Sequence, residues 1–180
     1  MSTIPGKEPA VKLPPQITTP RDLLLEHLGR LLTIEDTLAK RLLPQLTDEI
    51  EDEELERVVS EHLDETRLHV DRVREAFSSL QEEPAGGPAV GLDGLRTERE
   101  AQAPDLAPSL RPAADCEAAM GTEHYEINAY DAAIRIADAL GAAEAAALLR
   151  ANLAEEVEAL NRLAAQAERL TRELRSSTTN

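Results

Sequence analysis

The segment from Met120 to Ile134 reads M-G-T-E-H-Y-E-I-N-A-Y-D-A-A-I, and Cys116, Met120, Ile127, Tyr130 and Ile134 recur at intervals of four, seven, three and four residues. That is the period of a helix face turned toward a core. Glu123 fills the seven-residue gap, and Glu126 follows about 4.5 Å further along the axis. An ionised carboxylate in an apolar interior is costly unless a cation or a hydrogen-bonding partner meets it, so two inward glutamates need compensation from elsewhere in the chain. His62, Glu65 and His69 are three further ligand-type residues, spaced three and four apart, that project from one helix face over roughly two turns. Two single acids complete the set. Glu35 interrupts the stripe Leu24, Leu28, Leu31, Leu38, Leu42, and Glu156 interrupts Leu149, Leu153, Leu160, Leu163, Ala167, Leu170, Leu174. Carboxylates with some imidazole suit iron or manganese better than copper, and differ from the Cys/His sets of structural zinc.

Four helices, each over twenty residues, must position these groups. Helix A opens with Thr19 as cap and Pro20 in the first turn, and Pro44 is expected to kink or end it, with some helix resuming through Gln45, Leu46 and Ile50. Helix B begins near the acidic run Asp48 to Glu54 and continues to about Gln81, with Leu55, Val58, His62, Glu65, His69, Val73, Ala76 and Leu80 inward. From Pro84 to Pro112 prolines and glycines mark a long connection with a short helical piece from about Leu92 to Ala101. Helix C covers Ala113 to Leu140 and ends at Gly141; helix D follows at once, with Glu155 and Glu158 flanking its inner face. The fold expected is an all-α, antiparallel four-helix bundle over residues 20–174, with a long B-to-C crossover that contains a short helix. Residues 1–19 read as a disordered tail and residues 175–180 as a frayed end.

Composition narrows the function. With no tryptophan, one phenylalanine and two tyrosines, packing rests on Leu, Ala, Val and Ile. A net charge of -16 opposes non-specific association with nucleic acid or anionic membrane. No apolar run approaches the ~20 residues of a membrane span and no signal-peptide segment is visible, so a cytoplasmic location is expected. The single cysteine, Cys116, excludes an intramolecular disulfide and a multi-cysteine zinc site. Neither a nucleophile elbow nor a phosphate-binding glycine loop is present.

The interruptions gain meaning together. In an antiparallel bundle the helix midpoints share one level, so Glu35, the His62/Glu65/His69 group, Glu123 and Glu156 would converge on a central layer. Glu35 to Glu65 and Glu126 to Glu156 are both 30 residues, as two similar hairpins would give. A lone glutamate on a nominal stripe is more often an edge residue, and a lone histidine is often satisfied by a backbone carbonyl. Four coincident interruptions favour a metal centre.

The segments E-H-L-D-E-T-R-L-H (Glu61 to His69), E-H-Y-E-I-N-A-Y (Glu123 to Tyr130) and A-A-A-L-L-R-A-N-L-A-E-E (Ala145 to Glu156) resemble the ferritin-like stress-protein family typified by the enterobacterial YciF protein. The resemblance covers about residues 20 to 172. It implies a ferritin-like bundle with a two-metal centre, usually dimeric and tied to stress responses, with Glu35, Glu65, Glu123, Glu126 and Glu156 as ligands; His62 belongs to the matching H-L-x-E-T segment. His69 stands where relatives tend to have glutamine, and Leu160 where they often carry an acid. The E-x-x-H pairs usual in ferritin-like proteins are incomplete.

Two classes of function follow. The leading expectation is a di-iron or di-manganese carboxylate protein, an oxidoreductase or peroxidase-like enzyme acting on peroxide, oxygen or iron, with metal ions and a second copy of itself as partners. Tyr130 is there a core tyrosine first and a candidate electron donor second. The dimer rests on the resemblance and on alanine-rich faces such as Ala142 to Ala147. The alternative is a non-catalytic helical assembly protein whose polar core sets register or holds a vestigial metal. An iron-storage shell is a weaker third, since nothing marks a cage-forming surface.

Overall fold

The computed structural model describes residues 16–177, and among them there are helices and turns but no strand. Most of the expected N-terminal tail (residues 1–15) and the last three residues of the chain (178–180) lie outside the described residues.

Helix α1 spans Pro20–Thr37. Its start is fixed as the sequence predicts: Thr19 Oγ1 accepts from Asp22 N at 3.1 Å while Asp22 Oδ2 accepts from Thr19 N at 2.9 Å. Such a reciprocal cap satisfies two otherwise orphaned donors and contributes about 1 kcal/mol. Leu24, Leu28, Leu31 and Glu35 are all fully buried, so the stripe is real.

Pro44 does not end the helix. The chain passes through a π-turn, Leu38–Leu42, in which Leu43 N–H donates to Leu38 O, and continues as α2, Leu43–Glu49, with Pro44 in the first turn where a missing N–H is tolerated. The wider turn shifts the face by one residue. Leu43 and Leu46 are buried, whereas Leu42, expected on the stripe, is only half-buried. The expectation of more than twenty residues therefore holds for helix A only when α1, the π-turn and α2 are taken together.

Helix α3, Glu53–Ser79, is capped by Asp52, whose carboxylate accepts from Leu55 N at 2.9 Å. The crossover that follows is fastened to α1: Gly87 N donates to Gly29 O at 2.8 Å and to Thr33 Oγ1 at 3.0 Å. A Cβ at Gly29 would lie 2.9 Å from Ala85 O, so this approach requires glycine. Within the crossover sits α4, Val90–Gln102, slightly longer than the helical piece expected there. Two short 3₁₀ turns, Ala103–Asp105 and Pro108–Leu110, lead into α5, Arg111–Ala139. Gly141 has φ 68°, and Ala142 N–H reaches back to Ala137 O at 2.9 Å, a C-terminal cap that only glycine adopts freely. Helix α6, Ala143–Ser177, then runs to the end of the described residues.

The long helices close a ring of contacts. α1 packs on α3 and α5, α6 packs on the same two, and α4 lies against α5. The core between them is aliphatic, with Tyr130 its largest fully buried side chain. Alanines let α5 and α6 approach closely: Ala129, Ala133, Ala137, Ala145 and Ala146 are all buried within the chain. Ala145 and Ala146 are thus spent inside the protomer and give no support to a dimer face. No helix among the described residues is long and apolar enough to cross a membrane.

Candidate metal centre

Among the described residues, eight polar or charged ones are buried in this core: Glu35, His62, Thr66, His69, Glu123, Glu126, Asn152 and Glu156. Six of them carry ligand-type atoms and form two groups that share one member. His62, Glu123, Glu126 and Glu156 make the first, Glu35, His69 and Glu156 the second, and within each group one atom per residue lies within 4.8 Å of every other. Glu156 joins them because its two oxygens face different imidazoles. Oε2 is 3.7 Å from His62 Nε2, and Oε1 is 2.8 Å from His69 Nδ1.

The outer nitrogen of each imidazole is held by another carboxylate. His69 Nε2 donates to Glu155 Oε2 at 2.8 Å, and Arg72 holds that carboxylate with bonds of 2.6 and 3.1 Å. His62 Nδ1 lies 3.3 Å from Glu65 Oε2, a carboxylate that also accepts from Arg162. An ionised carboxylate can only accept, so a proton belongs on His69 Nε2 and on His62 Nδ1, which leaves His69 Nδ1 and His62 Nε2 as the ring atoms that face the centre and are open to a metal once free of protons.

The electrostatics show which groups are provided for. The bond from His62, with Arg162 beside it, outweighs burial and holds Glu65 at about 2. For Glu155 burial pushes upward, but the bonds from Arg72 and His69 outweigh it and keep the carboxyl below its usual range. Burial also opposes Glu156 ionisation, yet the nearby His69 and His62 bring it below the ordinary value. His69 is lifted to about 11, because Glu156 and Glu35 overcome its burial. Glu126 has no such help, and Glu123 has only the charge of His69 acting downward. Burial first, then the neighbouring Glu156, raises both far above the usual carboxylate range. Glu35 is raised by burial, though His69 and Tyr130 soften the effect.

The orphaned atoms test whether a metal fits. Glu35 Oε2, His69 Nδ1, Glu123 Oε2 and both oxygens of Glu126 and of Glu156 are buried without a hydrogen-bond partner. The 2.8 Å approach of His69 to Glu156 lies outside hydrogen-bond geometry, so it leaves both atoms in that set. So many buried lone pairs aimed at one another are costly unless protons or cations lie between them. Oxygen with some imidazole nitrogen is a donor set that iron or manganese accepts. The residues fit the group.

The structure differs from the sequence reading at several positions. Glu35, His62, His69, Glu123, Glu126 and Glu156 are brought together, but Glu65 is not: Thr66 takes the inward position, fully buried, and Arg162 draws Glu65 aside, where its side chain is 28 % exposed. Glu155, expected to flank the site without a role, bonds His69 across the α3–α6 contact. The apolar stripe gives no sign of Asn152, because Leu153 fits it better; it is Asn152 that is buried, with Nδ2 donating to Tyr130 Oη at 2.9 Å and to His69 O at 3.2 Å. Tyr130 Oη in turn donates to Glu35. Arg72 and Arg162 carried no signal, since exposed arginines on acidic helices are ordinary.

Comparison with known proteins agrees with this architecture. The family described as Domain of unknown function (DUF892) matches residues 19–175. Among solved structures, YcfI, a candidate structural protein from Rhodopseudomonas palustris, is 32% identical, with TM-score 0.78 over 82% of this chain and 94% of that one. The Escherichia coli stress protein YciF is 27% identical, with TM-score 0.81 over 87% of this chain and 99% of that one. A protein from Xanthomonas campestris pv. campestris, 18% identical with TM-score 0.69 over 90% and 100% of the two chains, shares the fold. No curated protein matches. With its family match over residues 19–175 and its likeness to YciF in both sequence and structure, the chain belongs to the DUF892 family, the family of the stress protein YciF.

Proposed function

We propose that this protein is a ferritin-like, antiparallel four-helix bundle whose core holds two metal ions, iron or manganese, and that it acts on peroxide, oxygen or iron under stress. The observation that carries the reading is the shared carboxylate: Glu156 belongs to both ligand-type groups and has neither oxygen hydrogen-bonded. Four buried carboxylates, Glu35, Glu123, Glu126 and Glu156, ask for about as much positive charge as two divalent ions bring. His62 Nε2, Glu123, Glu126 and Glu156 would hold one ion; His69 Nδ1, Glu35 and Glu156 the other. When bound, such a pair supplies one electron from each ion to a peroxide or to oxygen.

The protein's part is to fix and shield these ligands. Glu65 and Glu155 hold the outer imidazole nitrogens, which sets the tautomer and ring orientation of His62 and His69. Tyr130 keeps its proton on Oη and donates it to Glu35, while Asn152 holds Tyr130 in place. Leu28, Leu31 and Ile34 on α1, Val73 on α3 and Leu149 on α6 are fully buried in the same core and keep bulk water away. Glu65, which the family resemblance makes a ligand, serves in this proposal as the carboxylate behind His62.

A homodimer and a cytoplasmic location complete the proposal and rest on the family resemblance and on the sequence alone. Light scattering of the full chain tests the dimer; a monomer mass at all micromolar concentrations would remove it. Elemental analysis of protein purified from cells supplied with iron and manganese tests the centre.

One observation favours the non-catalytic alternative. His69, lifted to about 11, carries a proton at neutral pH in the metal-free chain and so places one positive charge between Glu35 and Glu156. A core that neutralises itself this way could set helix register without metal. Metal-free protein from metal-supplied cells would favour it.

A further inference from the structure

One cavity reaches the ligand-type groups from outside the helix ring. It offers about 70 Å³ to the centres of water-sized molecules, and His62 and Glu123 form part of its wall. A single water needs roughly 10–15 Å³ by this measure, so the space suits a molecule on the order of four to six heavy atoms. Its body is apolar. Leu38 and Leu42 from the π-turn, Leu43 and Leu46 from α2, and Leu92 and Leu95 of α4 line it. The π-turn is what brings Leu42 here, because the added residue in that turn moves it off the buried stripe.

Charge then decides what kind of molecule fits. Two arginines stand in the wall, but Arg96 is paired with Glu100 at 2.7 Å, and Arg99 with Glu49 at 2.7 Å and Asp115 at 2.9 Å. Neither guanidinium has charge to spare for an anion, and the net charge of -16 opposes one further. Two buried polar atoms of the wall residues remain without a hydrogen-bond partner, Arg96 Nε and Glu123 Oε2. A ligand complementary to this lining is uncharged, has a short alkyl body and bears oxygen at one end.

We propose that this cavity binds short-chain alkyl hydroperoxides, with the alkyl body among the leucines and the oxygen end toward Glu123 and His62. As a substrate assignment this rests on the two-metal reading above, whereas the binding itself depends only on the cavity and is measured without metal.

The experiment uses the full, metal-free chain and tert-butyl alcohol, a redox-inert relative of tert-butyl hydroperoxide, observed by saturation-transfer NMR. Wild type gives saturable transfer to the alcohol's methyl groups, tert-butyl hydroperoxide displaces it, and propionate, of similar size but anionic, does not. Ala119→Leu and Ala118→Leu both place methyl groups into the cavity, and whichever of them keeps the wild-type helical spectrum weakens binding at least about 10-fold. Absence of transfer in wild type, equal binding in a folded filled variant, or displacement by propionate as readily as by the hydroperoxide overturns the proposal. Metal content is measured on separate portions of the same preparations. Metal uptake without alcohol binding defeats the cavity assignment and leaves the two-metal reading standing; alcohol binding without metal uptake supports the cavity and defeats that reading.

Discussion

Glu155 and His69, from α6 and α3, are joined by a 2.8 Å bond between Oε2 and Nε2, while the other nitrogen of the same ring lies 2.8 Å from Oε1 of the adjacent Glu156. Neighbouring glutamates on one helix thus meet opposite edges of one imidazole. Glu156 lies in the interior, and Glu155, 35 % exposed, reaches the surface and Arg72.

Glu155→Gln should therefore weaken metal binding on the His69 side by about 10- to 100-fold, the usual effect of removing a carboxylate behind a ligating histidine, without unfolding the chain. Competition titration with a metal indicator reads the change. Glu158→Gln, at an exposed position one turn away, serves as the control and should match wild type.

Glu65 and Glu126 separate the two ways of assigning ligands. Glu126 is fully buried with both oxygens unpartnered, whereas Glu65 is engaged by Arg162 and His62. Glu126→Gln should remove most metal binding at the His62 group, and Glu65→Gln should lower affinity only to the extent that His62 loses its orienting partner. If Glu65→Gln loses metal as completely as Glu126→Gln, Glu65 is a ligand and its pairing with Arg162 does not describe the loaded state.

Metal loading should offset the pH dependence of stability. Glu123, Glu126 and His69 have raised values in the folded chain. Each contributes stability that is complete below its unfolded value and is lost as pH rises through its folded one. Glu65, Glu155 and Glu156 are lowered, so their contribution is intact above the ordinary carboxylate range and is lost only in acid. Metal-free protein should accordingly melt higher at about pH 5.5 than at about pH 8. Metal needs deprotonated ligands, so the increase in melting temperature on loading should be larger at the higher pH. Calorimetry of both forms at the two pH values checks both statements; a metal-free protein more stable at the higher pH, or a smaller increase on loading there, would contradict them.

Much of this arrangement is legible in the sequence, because burial at helical spacing is a strong signal. The breaks at Glu35, Glu123 and Glu156 in otherwise apolar stripes mark groups that the fold does bury. On the inner faces the sequence and the structure differ by a single residue at three positions. Burial falls on Thr66 rather than Glu65, on Asn152 rather than Leu153, and on Leu43 rather than Leu42, since a face of 3.6-residue period admits two neighbouring positions and the π-turn shifts the register without a local mark. What spacing cannot carry is pairing across helices. Glu155 and Arg162 read as exposed helix charge until α3 and α6 are set side by side.

Tyr130→Phe should cost about 1–2 kcal/mol, because it leaves Asn152 Nδ2 and Glu35 short of a partner in a buried site. Thermal denaturation reads the loss. Since Tyr130 is not a ligand, the variant should still take up metal.

The central claim is that two metal ions share Glu156, and metal stoichiometry measured on full-length wild type, Glu35→Ala and Glu156→Ala tests it most directly. After anaerobic loading with ferrous or manganous ion and removal of excess, the account predicts two ions per chain in wild type, one when Glu35 is removed from its group, and close to none when the shared Glu156 is removed from both. Wild type that holds no metal, or a Glu156→Ala chain that holds as much as wild type, would contradict it.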